Sequence, residues 1–253
     1  NAWYTLRHKA ATKKNIPTDV DCIYISHEHE DHFQKETLQE FNKNTQIYVC
    51  KFPTDRFYNK IIKLGFNNVT ELSTWKSEEL SEDLTITSIK NQDLMFEDSA
   101  LLVQSGEGTV FCQTDCKMDF ESLKKVSATK PDIGFFMYSV ANWYPDAYNY
   151  PKDKRDQIAK KRKSNKISGF VNYVDIIKPK YAIAYAGGPL FPHKSQLKLN
   201  DPINGVFGCP DEAKHAWDIS GKTGTDVLVM AADDEIGIDG HHVKNDEPIL
   251  STN

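Results

Sequence analysis

Short apolar runs bounded by polar clusters divide the chain into alternating strands and helices. Residues 22–26 (Cys-Ile-Tyr-Ile-Ser) form the first clear strand, and helical spacing follows over 35–42, with Leu38 and Phe41 on one face. Residues 46–50 read as a second strand. Residues 54–64 read as a helix with Phe57, Ile61 and Leu64 in register and Gly65 as its stop signal. A short strand is predicted at 69–72 and a half-buried, alternating one at 84–89. Segments 100–104 and 109–113 flank Ser105-Gly106-Glu107-Gly108, a hairpin signature. Beyond a helix at 120–127, the unbroken apolar run 133–138 predicts a buried strand. A long polar helix over 152–177 is followed by a strand at 181–186, a helix at 211–217 and a strand at 226–230. Strands and helices alternate with hairpins among them, which predicts one mixed α/β sandwich rather than a purely parallel, doubly wound sheet.

Composition narrows the class. Charged residues make up 26% of the 253 positions and the hydrophobic set 39%, which suits a globular domain and argues against disorder. The net charge of −5, from 31 basic against 36 acidic residues, argues against nucleic-acid binding by the surface as a whole. No apolar run approaches the ~20 residues of a membrane helix, and no signal peptide opens the sequence. The five cysteines (Cys22, Cys50, Cys112, Cys116 and Cys209) are odd in number and scattered. That is a poor disulfide framework, so reduced thiols and a cytoplasmic setting are expected. The sequence begins at Asn1 rather than Met, as a fragment or a processed chain would.

Chemistry concentrates in His27-Glu28-His29-Glu30-Asp31-His32, directly after the first strand. His27 and His29 are two apart, so an extended or loop backbone can aim both at one point, while Asp31 and His32 turn toward a second. Imidazole nitrogen suits zinc, iron and manganese, and carboxylate favours the harder ions. A solvated polar loop is the plain alternative, and ligand-type residues at this density argue against it. Further along, Asp115 ends the second hairpin strand, where it could equally cap the helix at 120–127. His193 follows the strand at 181–186 in what could be a surface loop.

The stretch from His27 to His32 resembles the H-x-H-x-D-H signature of the metallo-β-lactamase fold superfamily. The resemblance implies an αβ/βα four-layer sandwich with a dinuclear metal site at one edge. It maps His27 and His29 to one metal and Asp31 and His32 to the second, makes Asp115 the bridging carboxylate and His193 the last histidine ligand, and gives Asp31 and Asp115 catalytic roles. The basic helix, Ala186-Gly187-Gly188 before His193, and Lys198-Leu199-Asn200-Asp201-Pro202 follow in an order similar to the C-terminal domain of the CMP-N-acetylneuraminate hydroxylases and their bacterial relatives. This similarity runs from about Asp21 to Ile238.

Two departures matter. Most superfamily members place another His between the first motif and the bridging Asp, yet no His lies between His32 and His193. Asp93 is the best replacement and Glu97 the second; a carboxylate there favours iron or manganese over zinc. An incomplete site, holding one metal or none, is the competing reading. The front is also short: part of the N-terminal hairpin is missing ahead of His27. Hydroxylases of the resembled type carry a Rieske iron–sulfur domain whose Cys/His pairs are absent here. A Rieske domain or another electron-donor protein is then the expected partner, and a second protomer could complete the sheet as a homo-oligomer.

Residues 152–166 hold eight basic side chains against Asp153 and Asp156, a pattern of a solvated helix face or of an anion site. Just before it, Trp143, Tyr144, Tyr148 and Tyr150 crowd a loop that could stack on a base or sugar, or pack on itself. Trp143, Tyr144 and Arg162 are the candidate substrate-binding residues for a small polar or nucleotide-linked molecule. No phosphate loop, dinucleotide fingerprint or serine-nucleophile elbow occurs. Three functions stand. The first is an O2-activating di-iron hydroxylase, an oxidoreductase of the monooxygenase kind. The second is a zinc- or manganese-dependent hydrolase of an ester, amide or phosphodiester, and the third a scaffold with a degenerate site.

Overall fold

A computed structural model describes residues 16–92, 96–188, 194, 201, 204–231 and 234–244. The described residues up to Thr129 form one compact unit and those from Lys130 onward a second.

The first unit opens with a β-α-β-α-β run: β1 (Cys22–Ile25), α1 (Lys35–Leu38), β2 (Gln46–Cys50), α2 (Arg56–Ile62) and β3 (Val69–Leu72). The three strands pair in parallel, with Cys22 opposite Gln46 and Ile47 opposite Val69. Ile25, Phe33, Leu38, Ile47, Val49, Phe57, Ile61 and Phe66 form its core. The helical spacing of Phe57 and Ile61 explains α2: both are fully buried, while Arg56 and Lys60 on its other face are exposed.

An antiparallel group follows: β4 (Ser77–Ser81), β5 (Leu84–Lys90), β6 (Ser99–Ser105) and β7 (Thr109–Cys112). They pair in sequence order, with Leu84 opposite Ser105 and Leu101 opposite Cys112. β2 packs against β5, so two sheets face each other within this unit. Helix α3 (Phe120–Ala128) closes it. Strand β4 was not expected. Its sequence, Ser-Glu-Glu-Leu-Ser, offers one apolar residue, and it lies at the sheet edge, where polar strands guard against further pairing.

The second unit contains β8 (Ile133–Met137), the 26-residue α4 (Lys152–Ile177), β9 (Tyr181–Tyr185), α5 (Pro210–Ile219) and β10 (Asp226–Leu228). β9 pairs in parallel with β8 and β10. Helix α4 packs on β8 and α5, its Phe170, Val174 and Ile177 buried, the Phe170 ring edge-on to Phe136 at 6.3 Å, and Ala159 in a cluster with Val140 and Val206. It ends where Lys178 turns left-handed (φ 53°) ahead of Pro179. A small hairpin of β11 (Glu235–Ile236) and β12 (His242–Val243) follows. Among the described residues no helix is long and apolar enough to cross a membrane.

Candidate metal centre

The His27–His32 loop begins where β1 ends and is pinned at both sides. Upstream, Ile25 is buried; downstream, Phe33 is buried with its ring edge-on to Phe57 of α2 at 5.4 Å. The turn between closes through His29 O, which accepts from the N–H groups of His32 (2.9 Å) and Phe33 (2.7 Å). Glu28 pairs outward with Arg56 and with Lys60 (2.7 Å), both on α2. The intervening acid is thereby held by the helix.

Two triads result. His27, His29 and Asp115 form one group and Asp31, His32 and Asp115 the other, each with ligand atoms within 4.8 Å of one another. Asp115 is shared through opposite oxygens: its Oδ2 lies 3.9 Å from His27 Nε2 and its Oδ1 3.8 Å from His32 Nε2. Asp31 Oδ2 stands 3.8 Å from His32 Nε2. His27 is the floor of the group, 1% exposed, while His29 and Asp31 are open to solvent.

These spacings fit a bound cation. Two donors each ~2.0–2.2 Å from an ion lie roughly 3–4 Å apart, which the gaps above match. His27 Nε2 supplies the sharper test. It is a buried polar atom with no hydrogen-bond partner among the described residues, an arrangement that is costly unless something else fills its lone pair. Burial, with the His32 and His29 rings beside it, pushes the His27 pKa down to about 3. The ring is therefore neutral at ordinary pH, as a metal ligand must be. The residues present fit one or two divalent ions.

Asp115 does not cap α3. Asp119 does, accepting the Ser122 N–H at 2.7 Å. Asp115 is instead aimed by Thr114, a non-glycine residue in the left-handed region at φ 53°. The Thr114 hydroxyl donates to Ser99 O at 2.6 Å and stabilises that conformation. The neighbouring Cys116 thiol is fully buried and donates to Ile89 O at 3.5 Å, and burial pushes its pKa up to about 12.

Sequence reasoning missed Asp98. It is 7% exposed, its Oδ1 lies 3.9 Å from His27 Nε2, and burial, then the nearby Asp115 charge, raise its pKa above the usual carboxylate range. Glu97 points elsewhere, accepting from the Thr54 hydroxyl at 2.8 Å and facing Arg56. Asp93 and His193 lie outside the described residues. The signal for Asp98 was its place immediately before a strand that pairs with β5. A residue entering a buried strand is held more tightly than one in the preceding loop.

Behind the ligands runs a buried hydroxyl chain. Ser99 is fully buried; its hydroxyl donates to Ser26 O at 2.6 Å and lies 2.7 Å from the Tyr24 hydroxyl. Ser99 thus ties the segments that carry His27, Asp98 and Asp115. Ser26 Oγ hydrogen-bonds His27 Nδ1 at 3.0 Å and His32 Nδ1 at 3.3 Å.

The predicted substrate-binding trio lies in the second unit. The Arg162 guanidinium stands 5.2 Å from the Tyr144 ring centroid and donates to Asn142 Oδ1 at 2.9 Å. Trp143 meets Phe207 edge-on at 6.1 Å. Tyr144 packs edge-on against Tyr148 and Tyr150, so the loop packs on itself and still leaves Trp143 and Tyr148 exposed.

No protein-family model matches the chain. A Mycobacterium tuberculosis protein named as a Rieske 2Fe-2S iron-sulfur protein is 27% identical over 208 residues, 79% of this chain and 40% of its own. A protein of similar name from Mycolicibacterium smegmatis is 25% identical over 207 residues, with the same coverage. The chain thus spans 40% of the length of these relatives. Among solved structures, an isothiocyanate hydrolase from Delia radicum gut bacteria superposes with a TM-score of 0.57 at 17% identity, over 92% of this chain and 78% of that one. A variant of the CmlA beta-hydroxylase gives 0.56 at 19% identity, over 85% and 44%. The chain has the metallo-β-lactamase fold.

Proposed function

We propose that this chain is the metal-bearing part of an O2-dependent hydroxylase that uses two divalent ions, iron first, with zinc or manganese as alternatives. The observation that carries the reading is Asp98, a buried carboxylate facing His27, in the segment between the first motif and Asp115 where the sequence offers no histidine. With Asp31 and Asp115 it makes the donor set rich in oxygen, which favours harder ions than zinc. His27, His29 and Asp115 would hold one ion and Asp31, His32 and Asp115 the other, with Asp98 as an added ligand beside His27. His193 and Asp93 remain candidates from the sequence. The bound iron would supply the redox chemistry by which O2 is reduced.

The chain's own residues would do the rest. Asp115 keeps both half-sites in register through its two oxygens. His27 stays neutral and buried, so the inner side of the site is dry. Asp31 and His29, open to solvent, face the side from which substrate would arrive. Trp143, Tyr144 and Arg162 would bind a small polar or nucleotide-linked substrate by stacking and charge. Hydroxylation of a C–H bond takes two external electrons and two protons, with the second oxygen leaving as water. The Rieske name of the relatives supports an electron-donor protein or domain as partner.

The hydrolase resemblance favours a second reading, in which Asp31 orients a water molecule for attack on an ester, amide or phosphodiester. The test is oxygen uptake by the iron-loaded chain under a chemical reductant, alongside ester and phosphodiester cleavage by the zinc-loaded chain. O2 consumption that Asp98→Asn abolishes supports the hydroxylase. Cleavage with zinc and no O2 uptake with iron would replace it with the hydrolase.

A further inference from the structure

We infer that Ser26 is a positioning residue that holds two imidazoles, one from each half-site, by their Nδ1 atoms and so couples the two metals. The inference rests on the dinuclear reading above. Ser26 is 5% exposed, and its hydroxyl oxygen meets His27 Nδ1 at 3.0 Å and His32 Nδ1 at 3.3 Å. The opposite atoms of the same rings, both Nε2, face the two oxygens of Asp115. Both rings are thus held behind by the same hydroxyl and share Asp115 in front, with Asp98 beside His27 and Asp31 beside His32.

The consequence follows from proton counting. A neutral imidazole carries one N–H, and a ring that ligates through Nε2 must carry it on Nδ1. A serine oxygen has two lone pairs and can accept from both Nδ1–H groups at once. With Ser26 as acceptor in both contacts, its hydroxyl would select the ligating tautomer in both rings before any ion arrives. Its own place is fixed because the Ser99 hydroxyl donates to its carbonyl at 2.6 Å. Without the hydroxyl, two Nδ1–H groups in a nearly dry site lose their acceptor. The rings can then turn or move the proton to Nε2, which removes the donor lone pair. One substitution should thus weaken both half-sites, although Ser26 touches neither ion.

Two measurements on the full, metal-stripped chain test this. Histidine 15N NMR of the wild type should find His27 and His32 both protonated at Nδ1; an Nε2–H form dominant in either ring overturns the inference. Zinc titration should find two ions per wild-type chain. Ser26→Ala should weaken both by roughly 10–100-fold, the usual cost of losing an outer partner of a metal ligand, and Ser26→Thr should restore most of the affinity. Wild-type affinity in Ser26→Ala, loss at one ion alone, or no rescue by threonine would each overturn it while leaving the dinuclear reading intact. A wild-type chain that takes up no zinc would overturn both. The NMR measurement needs no variant and decides the matter even if Ser26→Ala does not fold.

Discussion

Acidifying the metal-stripped chain should destabilise it through His27, and the size of the effect follows from the site. Burial pushes the His27 pKa from 6.5 down to about 3 in the folded chain. The unfolded chain therefore binds a proton that the folded chain refuses between those values. Stability from this group is fully present above pH 6.5 and falls as the pH drops through the window. Between pH 7.5 and 5.5 the loss is about 1.4 kcal/mol, the worth of one pKa unit. For a chain of this size that lowers the melting temperature by roughly 3 °C. Asp98 works the other way, since its raised pKa makes the folded chain bind a proton more readily. The comparison is with His27→Gln, a side chain of similar reach that does not titrate and keeps Asp98 in place. The assay is thermal unfolding of both proteins at the two pH values, followed by circular dichroism with chelator present. Wild type should lose about 1.4 kcal/mol more than His27→Gln. Parallel losses would refute the picture of a buried neutral imidazole.

Three further outcomes follow. Asp98→Asn keeps the shape of the side chain and removes its charge, so competition with a chromophoric chelator should show metal affinity falling by at least the roughly 10–100-fold that a lost supporting partner costs; unchanged affinity would remove Asp98 from the site. Phe57→Ala opens a cavity under the His27–His32 loop, where Phe33 packs, and should cost about 3–5 kcal/mol in denaturant unfolding. Asp119→Ala removes the cap of α3 and should cost about 1 kcal/mol with metal content unchanged, whereas a loss of metal would show that Asp119 and not its neighbour Asp115 serves the site.

Much of this structure could be read from residue order. Gln46–Cys50, Val69–Leu72 and the helix Lys152–Ile177 stand where periodicity and the following Gly or Pro placed them. The helix expected over 35–42 is shorter, Lys35–Leu38, because polar Asn42 and Asn44 bond locally beyond it. Strand β4 escaped because an edge strand with polar faces has no apolar alternation to reveal it. The motif residues His27, His29, Asp31 and His32 could be read because they lie within one short loop. Asp98 could not. Its place before β6 was visible in the sequence, but its approach to His27 joins the ends of strands in two different sheets, which no local pattern encodes. The Ser26 contact was hidden for a similar reason: it joins residues six apart only once the loop has turned back through His29 O.

The central claim is that two ions share Asp115. The direct measurement is elemental analysis of the full chain purified without added metal and then loaded anaerobically with ferrous iron, in wild type, His29→Ala and Asp115→Ala. Two iron ions per wild-type chain, one in His29→Ala and neither retained in Asp115→Ala is the expected result, because His29 belongs to one triad and Asp115 to both. Equal iron in His29→Ala and Asp115→Ala, or none in the wild type, would contradict the account.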